Sequence, residues 1–191
     1  DVLPKERFAK IAKRMDANIE RLKDLVSNIL LAGQLDSQKV PYNPQATDVV
    51  QLVEEKVVEN YIEHERKLHF ELSGTPYEMN VDRKLFTQIL DNLVNNAYKY
   101  SETKSPELKL SFQSDHLLVD IVDHGIGIPE KEQPKLFSSF FRASNVGNVQ
   151  GSGLGLSIVN EFIKLHNGEI NFKSIVNKGT TFTIRFPRKT N

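Results

Sequence analysis

DRKLFTQILDNLVNNAYKYS, residues 82–101, is the segment that decides the fold. Apolar residues recur in it at helical spacing and predict a helix with one buried stripe, formed by Leu85, Phe86, Ile89, Leu90, Leu93, Val94 and Ala97. Asp82 stands where a helix N-cap is expected, because its carboxylate can accept hydrogen bonds from the first backbone N–H groups. The sequence therefore predicts one long core helix here.

The polar residues of this helix suit a metal–phosphate group. Asn92 and Asn96 are four residues apart and share one face, and Lys99 and Tyr100 follow at the C-terminal end. Amide oxygens can bind Mg²⁺, while a cation beside them can bind phosphate. Alternatively, these residues simply cover the solvent side of a core helix, and this segment alone favours that alternative. The motifs further along the chain reverse the preference.

Composition limits the classes of function. The chain has 191 residues, enough for one compact domain and an appendage. Its 25 basic and 25 acidic residues balance, and the absence of a basic run argues against nucleic acid as a partner. Without cysteine, a disulfide framework and a thiolate metal site are excluded. No apolar run reaches membrane-spanning length and no signal-peptide layout opens the chain, so we expect a soluble piece.

The N-terminal residues 5–37 predict one long helix. Two sets of residues each recur every seven positions, namely Phe8, Met15, Leu22 and Ile29, and between them Ala12, Ile19, Val26 and Gly33. This spacing is typical of a coiled coil or helical bundle. An isolated helix of this kind is marginal in water, so a partner helix is expected, from a second copy or from outside this chain. Packing on the chain's own globular part is disfavoured, because such a helix spans about 50 Å.

The rest of the chain alternates between helices and strands. Pro41 and Pro44 break the first helix and predict a linker over residues 41–47. Two further helices are predicted at 49–63 and 157–166, and strands at 68–72, 77–81, 107–114, 117–123, 169–174 and 180–186.

A carboxylate and two glycines follow one of these strands, in the sequence Asp123-His-Gly125-Ile-Gly127. The carboxylate can accept a hydrogen bond from an amino group, and the bare glycine backbone lets a flat ring approach. Ordinary turns use the same residues, so the motif alone is a weak signal.

Two later motifs indicate phosphate binding. Arg142 follows a phenylalanine-rich segment, residues 135–141, and leads into a small polar loop from which an arginine can reach a terminal phosphate. The phenylalanines themselves predict a hydrophobic latch. Gly151-Ser-Gly-Leu-Gly-Leu156 opens the helix predicted at 157–166, and such a start offers free N–H groups to phosphate. It lacks the ending of a Walker loop and the preceding strand of a Rossmann motif.

Five blocks occur in order, at residues 92–101, 123–127, 137–142, 151–156 and 179–182. Together they resemble the ATP-binding domain of bacterial sensor histidine kinases, over roughly residues 45–188. The N-terminal helix, which ends in NILLAGQLD, resembles the second helix of that family's dimerisation and phosphotransfer hairpin.

The resemblance implies an α+β fold, a two-layer α/β sandwich of the histidine kinase/gyrase-type ATPase fold with an N-terminal long helix. It assigns residues 1–40 to the second helix of the dimerisation and phosphotransfer hairpin, which is incomplete in this chain, 41–47 to a linker and 48–191 to the ATP-binding catalytic domain. The segment from about 129 to 150 would be a lid over ATP.

The resemblance also implies a role for each motif residue. Asn96, with Asn92, would hold Mg²⁺, Asp123 would accept from the adenine amino group, and Arg142 would assist γ-phosphoryl transfer. Arg142 and Asn92 are thus the expected catalytic residues. The full set of expected nucleotide-binding residues is Asn92, Asn96, Lys99, Tyr100, Asp123, Gly125, Gly127, Ile128, Phe137, Arg142, Gly151, Ser152, Gly153, Leu154, Gly155, Leu156 and Thr180.

One residue of the sequence favours phosphoryl transfer to a protein over hydrolysis of ATP. Hydrolytic relatives of this fold carry a glutamate where this chain has Asn92, and an amide cannot act as a base at neutral pH. None of the five histidines has phosphoacceptor-like neighbours: His64 and His69 are expected at the surface, His166 in a structural role, and His124 pointing away from nucleotide; His116 is the fifth.

The resemblance therefore implies a kinase fragment that uses ATP and Mg²⁺ and transfers phosphate to a histidine outside this chain. Expected partners are the missing hairpin helix, a second copy bound through the N-terminal helix, and the receiver domain of a response regulator. The expected compartment is the cytoplasm, as part of an inner-membrane sensor. The alternative is a degenerate, non-catalytic relative that acts as a dimerisation or interaction module.

Overall fold

The computed structural model describes residues 40–188 apart from 102, 148 and 150, together with residues 11, 15, 26 and 33. The chain divides into two compact units, Asp1–Val40 and Pro41–Asn191. Most of the predicted N-terminal helix lies outside the described residues. The four that are described, Ile11, Met15, Val26 and Gly33, are helical. The bounds of this helix and its seven-residue repeat stay predictions.

The second unit is built on a five-stranded mixed sheet. The elements are β1 (Gln45–Thr47), α1 (Val49–Val53), β2 (His69–Ser73), β3 (Met79–Val81), α2 (Arg83–Tyr100), β4 (Glu107–Phe112), β5 (His116–Val122), α3 (Gly155–Leu165), β6 (Glu169–Ile175) and β7 (Gly179–Pro187). The strand order is β2-β4-β5-β7-β6, and only β2 and β4 run parallel. Strands β1 and β3 form a separate antiparallel pair. The predicted α+β class is confirmed.

The sheet buries one face and leaves the other polar. On β4 and β5 the buried residues alternate with half-buried ones, as period-two patterning predicts. Leu110 lies opposite Val119, which in turn lies opposite Ile184 of β7, and all three are fully buried. This row is part of the core.

Helix α2 covers the buried face beside α3. It runs from Arg83 to Tyr100, as predicted, and the Asp82 carboxylate caps it by accepting from the N–H groups of Lys84 and Leu85 at 3.0 and 3.1 Å. All seven residues of the predicted apolar stripe are buried. Each such leucine, isoleucine or phenylalanine contributes about 1.5–3 kcal/mol on burial, which makes α2 the main apolar anchor of the helical layer.

The helix predicted at 49–63 differs from the structure in form. It is α-helical only over Val49–Val53, and it continues as a π turn over Glu54–Val58 and a 3₁₀ turn over Glu59–Tyr61. The extra residue of a π turn rotates the side chains that follow. Here Val57 stays buried and the Tyr61 ring stacks on Tyr98 at 4.5 Å, a match that periodicity alone does not predict.

The segment predicted as a linker contains strand β1. Its three residues pair with Met79–Val81, and the Thr47 side chain is buried. A strand of three residues is too short to show alternation of apolar and polar side chains. The two prolines before it therefore led the sequence pattern to indicate a linker.

His166 joins the two main helices. Its buried ring accepts the Asp82 N–H at Nε2, at 3.1 Å, and donates from Nδ1 to the Phe162 carbonyl at 2.7 Å. The ring is therefore neutral, with its proton on Nδ1. Burial lowers the pKa of His166, and this outweighs the opposing hydrogen bond to Phe162 and the charge of Asp82. The structural role expected for His166 is confirmed.

Acidification should destabilise the fold through His166. Its pKa is lower when folded than the ordinary 6.5, so the neutral ring stabilises the fold above that value, and this contribution is lost as pH falls through the folded pKa. Urea unfolding at about pH 7.5 and about pH 5.5 measures the loss. The loss should shrink in His166→Gln and persist in His69→Gln, whose ring is exposed. An equal loss in both variants would contradict this role.

Candidate functional site

Asp123 is fixed at the end of β5. Its Oδ1 accepts the N–H of Gly125 at 2.8 Å and that of Thr180 at 3.1 Å, and its own N–H donates to the Thr180 carbonyl at 2.8 Å. Burial raises the pKa of the Asp123 carboxyl, and the two backbone donors oppose that rise. The Thr180 hydroxyl in turn shares a hydrogen bond with Ser174 on β6, at 2.9 Å. The carboxylate is thus tied both to its own turn and to β7.

The turn that follows Asp123 is packed on both sides by backbone. A Cβ added at Gly125 would lie 2.0 Å from the Tyr100 carbonyl oxygen, and one added at Gly127 would lie 2.2 Å from that of Ile175. The N–H of Ile126 donates to Tyr100 O at 3.2 Å. Neither glycine position admits a side chain, so the wall of the site is bare backbone here.

Two polar residues of α2 face the glycine-rich segment. The Asn92 Nδ2 donates to Gln88 O at 2.9 Å, and Oδ1, the other end of the amide, would lie 2.9 Å from a Cβ added at Gly155. The Lys99 Nζ would lie 3.0 Å from a Cβ added at Gly151. An amide oxygen and a cation therefore meet the two ends of that segment. Asn96 lies between them on α2 and is half-buried.

The glycine-rich segment forms the start of α3. The helix begins at Gly155, two residues earlier than predicted, so its first N–H groups belong to the motif itself. Gly153 has φ +74 and packs against the backbone of Phe140 and Phe141, where a Cβ would lie 2.6 Å from the Phe140 carbonyl carbon. Ser152 Oγ accepts from Leu154 N–H at 3.3 Å, and Leu154 is buried. Free N–H groups at a positive helix end suit an anion.

Arg142 and Tyr100 lie near each other at the same end. Burial raises the pKa of the Tyr100 hydroxyl, and the positive charge of Arg142 opposes that rise. The Arg142 side chain is exposed, and its Nη2 donates to the carbonyl of Val149. An exposed cation thus lies near the phenol of α2.

The predicted lid is braced on the sheet at its start. Ile128 N–H donates to Ser174 Oγ at 2.9 Å, and the Phe137 ring packs edge-on against Phe172 at 5.9 Å. Both contacts are made to β6 and brace the start of the predicted lid, and the nucleotide binding expected of Ile128 and Phe137 stays a prediction. Phe140, by contrast, is 69% exposed and has φ +64. Leu156 is half-buried in the first turn of α3.

Arg66 closes the C-terminal end of α2, a contact that the sequence did not predict. Its Nη2 donates to Tyr98 O at 3.0 Å and its Nη1 to Ser101 O, while the Tyr98 hydroxyl donates back to Arg66 O at 2.8 Å. The last carbonyls of any helix need donors, which is the signal that could have suggested a cation. Arg66 lies 32 residues before Tyr98, so no local sequence pattern indicates this contact.

The sequence analysis did not single out two other polar residues. Asp91 is half-buried beside Tyr61, and burial raises the pKa of its carboxyl to about 6. Asn145 of the lid donates from Nδ2 to Gly127 O at 2.9 Å. His124 instead contacts Glu107 of β4, at 3.1 Å.

The described part of the chain contains no cluster of three or more His, Cys, Asp or Glu residues suited to a metal ion. The residues present do fit a magnesium site formed by amide oxygens. The Asn92 Nδ2 donates to Gln88 O, and this leaves the Asn92 Oδ1 facing Gly155. Within the same described residues, no helix has the length and apolar character to cross a membrane.

Comparisons with known proteins show which family the chain is similar to. The sequence profile of a family described as "Histidine kinase-, DNA gyrase B-, and HSP90-like ATPase" matches residues 81–190. Sensor histidine kinase WalK of Bacillus subtilis is 31% identical over an alignment of 198 residues, which covers 99% of this chain and 31% of WalK. Signal transduction histidine-protein kinase ArlS of Staphylococcus aureus is 38% identical over 119 residues, 61% of this chain and 26% of ArlS.

A solved structure is similar in fold. Histidine kinase AdeS of Acinetobacter baumannii superposes with a TM-score of 0.72 at 26% identity, over 100% of this chain and 88% of that chain. The chain spans between about a quarter and a third of the length of the curated relatives it matches.

Gly127→Ala should disrupt the turn that carries Asp123. The residue has φ +62, and the added Cβ would meet Ile175 O at 2.2 Å, so we expect a loss of about 3 kcal/mol or more in the free energy of unfolding. Gly147→Ala is the matched control, because Gly147 has φ +52 but nothing within 4 Å of an added Cβ. It keeps the strain of a positive φ but lacks the close contact, so it should lose less than Gly127→Ala. Equal losses in urea unfolding would show that the close approach is unimportant.

Proposed function

Because the chain belongs to the histidine kinase-, DNA gyrase B- and HSP90-like ATPase family, we propose that it is the ATP-binding catalytic part of a sensor histidine kinase. It transfers the γ-phosphoryl group of ATP to a histidine outside this chain, for relay to an aspartate of a response regulator. The whole kinase, its acceptor and its relay are part of this proposal, since the chain spans only 31% of WalK.

One observation carries the proposal. The polar face of α2 and the start of α3 meet at both ends of the glycine-rich segment, through Asn92 Oδ1 at Gly155 and Lys99 Nζ at Gly151. Backbone N–H groups, a cation and an amide oxygen together match a polyphosphate with its metal ion. Neutral amides alone, or a lysine alone, would not distinguish such a ligand from solvent.

Asn96 and Asn92 would hold magnesium in this proposal. Both are oxygen donors on one face of α2, and the hydrogen bond from Asn92 Nδ2 to Gln88 O turns the Asn92 oxygen toward the phosphate cradle. Magnesium at these two oxygens would supply positive charge against the phosphate oxygens.

Adenine binds at the other end, against Asp123. The two backbone donors to Oδ1 leave Oδ2 to accept from the base amino group, and Gly125 and Gly127 keep the wall thin enough for a flat ring. Thr180 fixes the carboxylate from β7 through its N–H. Tyr100 lies between this turn and the phosphate cradle, since its carbonyl contacts Ile126.

Arg142 assists phosphoryl transfer by approaching the γ-phosphate. It is exposed, and it must exchange its contact with Val149 O for the phosphate. An arginine beside the transferring group stabilises the charge of the transition state. Asn92 has no basic group with which to activate water, which favours transfer to a histidine over hydrolysis.

The N-terminal residues 1–40 form the second helix of the hairpin, and 41–47 join it to the catalytic domain, residues 48–191. Ile11, Met15 and Val26 are 40%, 59% and 55% exposed, which supports an apolar face that a second copy and the other hairpin helix cover. The response regulator's receiver domain is the next partner, and the cytoplasm is the proposed compartment.

The non-catalytic alternative finds no support in the site. A degenerate relative is expected to have lost its metal and phosphate residues, whereas Asn92, Asn96, Lys99 and Arg142 all stand in the sequence.

Calorimetric titration of ADP with and without Mg²⁺ tests the proposal. Wild type should bind Mg-ADP stoichiometrically, and saturation at a hundred times Kd should raise the free energy of unfolding by about 2.7 kcal/mol. Asn96→Ala should lose the magnesium-dependent part of the affinity with little loss of stability, because its side chain is only half-buried. Asn95→Ala is the matched control, since Asn95 instead accepts from the Tyr61 hydroxyl. Normal Mg-ADP binding by Asn96→Ala would sink the assignment.

A further inference from the structure

One serine on β6 holds the start of the predicted lid on the sheet. The Ser174 Oγ accepts the Ile128 N–H at 2.9 Å. Gln133 of the lid donates from Nε2 to the Ser174 carbonyl at 3.2 Å and to the Ile128 carbonyl at 3.1 Å. The lid is therefore attached at its start to both the hydroxyl and the backbone of the same residue.

The hydroxyl of this serine also contacts the residue that fixes Asp123. The Ser174 Oγ lies 2.9 Å from the Thr180 Oγ1 and 3.3 Å from the Gly179 carbonyl oxygen. Thr180 and Asp123 are both buried, and the Thr180 N–H donates to the Asp123 Oδ1 at 3.1 Å. Burial raises the pKa of the Asp123 carboxyl, and a hydrogen bond from the Thr180 hydroxyl is among the contacts that oppose this rise. A row of hydrogen bonds thus connects the lid with the carboxylate.

The donors along this row all point the same way. An ionised carboxylate only accepts, and a hydroxyl has one proton to donate. The Thr180 hydroxyl donates to Asp123, so it must accept from the Ser174 hydroxyl. The Gly179 carbonyl competes for the Ser174 proton only from the longer distance of 3.3 Å. The Ser174 oxygen is then left to accept from the Ile128 N–H, as it does, and each donor in the row strengthens the next.

We propose that Ser174 is a positioning residue for nucleotide binding, whose hydroxyl turns the Thr180 hydroxyl toward Asp123 and couples that carboxylate to the lid. The proposal rests on the proposed function and deepens it. Asp123 must stay ionised and fixed in place to accept from the adenine amino group, and a donated hydrogen bond favours the ionised form. When Ile128 leaves Ser174, the hydrogen bonds that follow in the row weaken. Lid position and affinity for the base are therefore linked in both directions.

A double-mutant cycle on the affinity for Mg-ADP tests whether Ser174 acts through Thr180. Ser174→Ala removes the donor to Thr180, and Thr180→Val removes the hydroxyl that acts on Asp123 while it keeps the shape of the side chain. Calorimetry should show that each substitution weakens binding by about threefold to tenfold, the value of one hydrogen bond. In the double variant the two losses should overlap and leave an affinity close to that of Thr180→Val alone.

Amide hydrogen exchange at Ile128 measures the coupling to the lid. Saturating Mg-ADP should slow this exchange in wild type, because the bound base favours the ordered row of hydrogen bonds. The slowing should be smaller in saturated Thr180→Val, although Thr180 makes no printed contact with Ile128 and the Ser174 hydroxyl is unchanged. This readout does not require Ser174→Ala to fold.

Matched variants complete the experiment. Ser174→Thr keeps the hydroxyl and should bind Mg-ADP like wild type. Ser111→Ala should also bind like wild type, because it removes a similar hydroxyl pair, Ser73 with Ser111 at 2.9 Å, at the opposite edge of the sheet. Thermal unfolding establishes that each variant is folded.

Two results would overturn the inference. If the losses of Ser174→Ala and Thr180→Val multiply in the double variant, Ser174 braces the lid independently of Thr180. If Mg-ADP slows exchange at Ile128 equally in wild type and Thr180→Val, the carboxylate and the lid are not coupled through this row. Failure of wild type to bind Mg-ADP would instead overturn the proposed function itself.

Discussion

Burial of the apolar face of α2 is the constraint on which the candidate site depends. Phe86, Leu90 and Leu93 are fully buried, so the helix can present Asn92 and Lys99 only toward the glycine-rich segment. His166 fixes the start of this helix and Arg66 fixes its end, both through backbone contacts. The end contacts fix the position of the helix along its axis, and the buried face fixes its rotation about that axis. Helix α2 therefore serves the core through its apolar face and the candidate site through its polar face.

Charge is distributed along the candidate site in a way that suits a nucleotide. Lys99, Arg142 and the start of α3 place positive charge and N–H donors at one end, and the Asp123 carboxylate places an acceptor at the other. The chain as a whole has a formal net charge of 0, so this polarity is local. A ligand must be anionic at one end and carry a donor at the other, which is what ATP offers.

Sequence reasoning succeeded where periodicity is strong and failed where contacts are long-range or elements are short. Strong patterns predicted α2 and the central strands of the sheet, whose bounds agree with the structure to within one or two residues. Glycine lowers helix propensity, so the pattern placed the start of α3 at Ser157 although the helix begins at Gly155. The roles of Arg66 and Asn145 depend on partners 32 and 18 residues away, which no local window contains.

Backbone amide NMR of the chain with Mg-ADP tests the central claim most directly, because it locates the nucleotide on the fold. The account predicts chemical-shift changes concentrated at Gly125 and Gly127 of the turn and at the amides of residues 151–155, with smaller changes along α2. Removing Mg²⁺ should reverse the changes near Asn92 and Asn96 first. Changes confined to the polar face of the sheet, or none at saturating nucleotide, would contradict a nucleotide site between α2, the Asp123 turn and the start of α3.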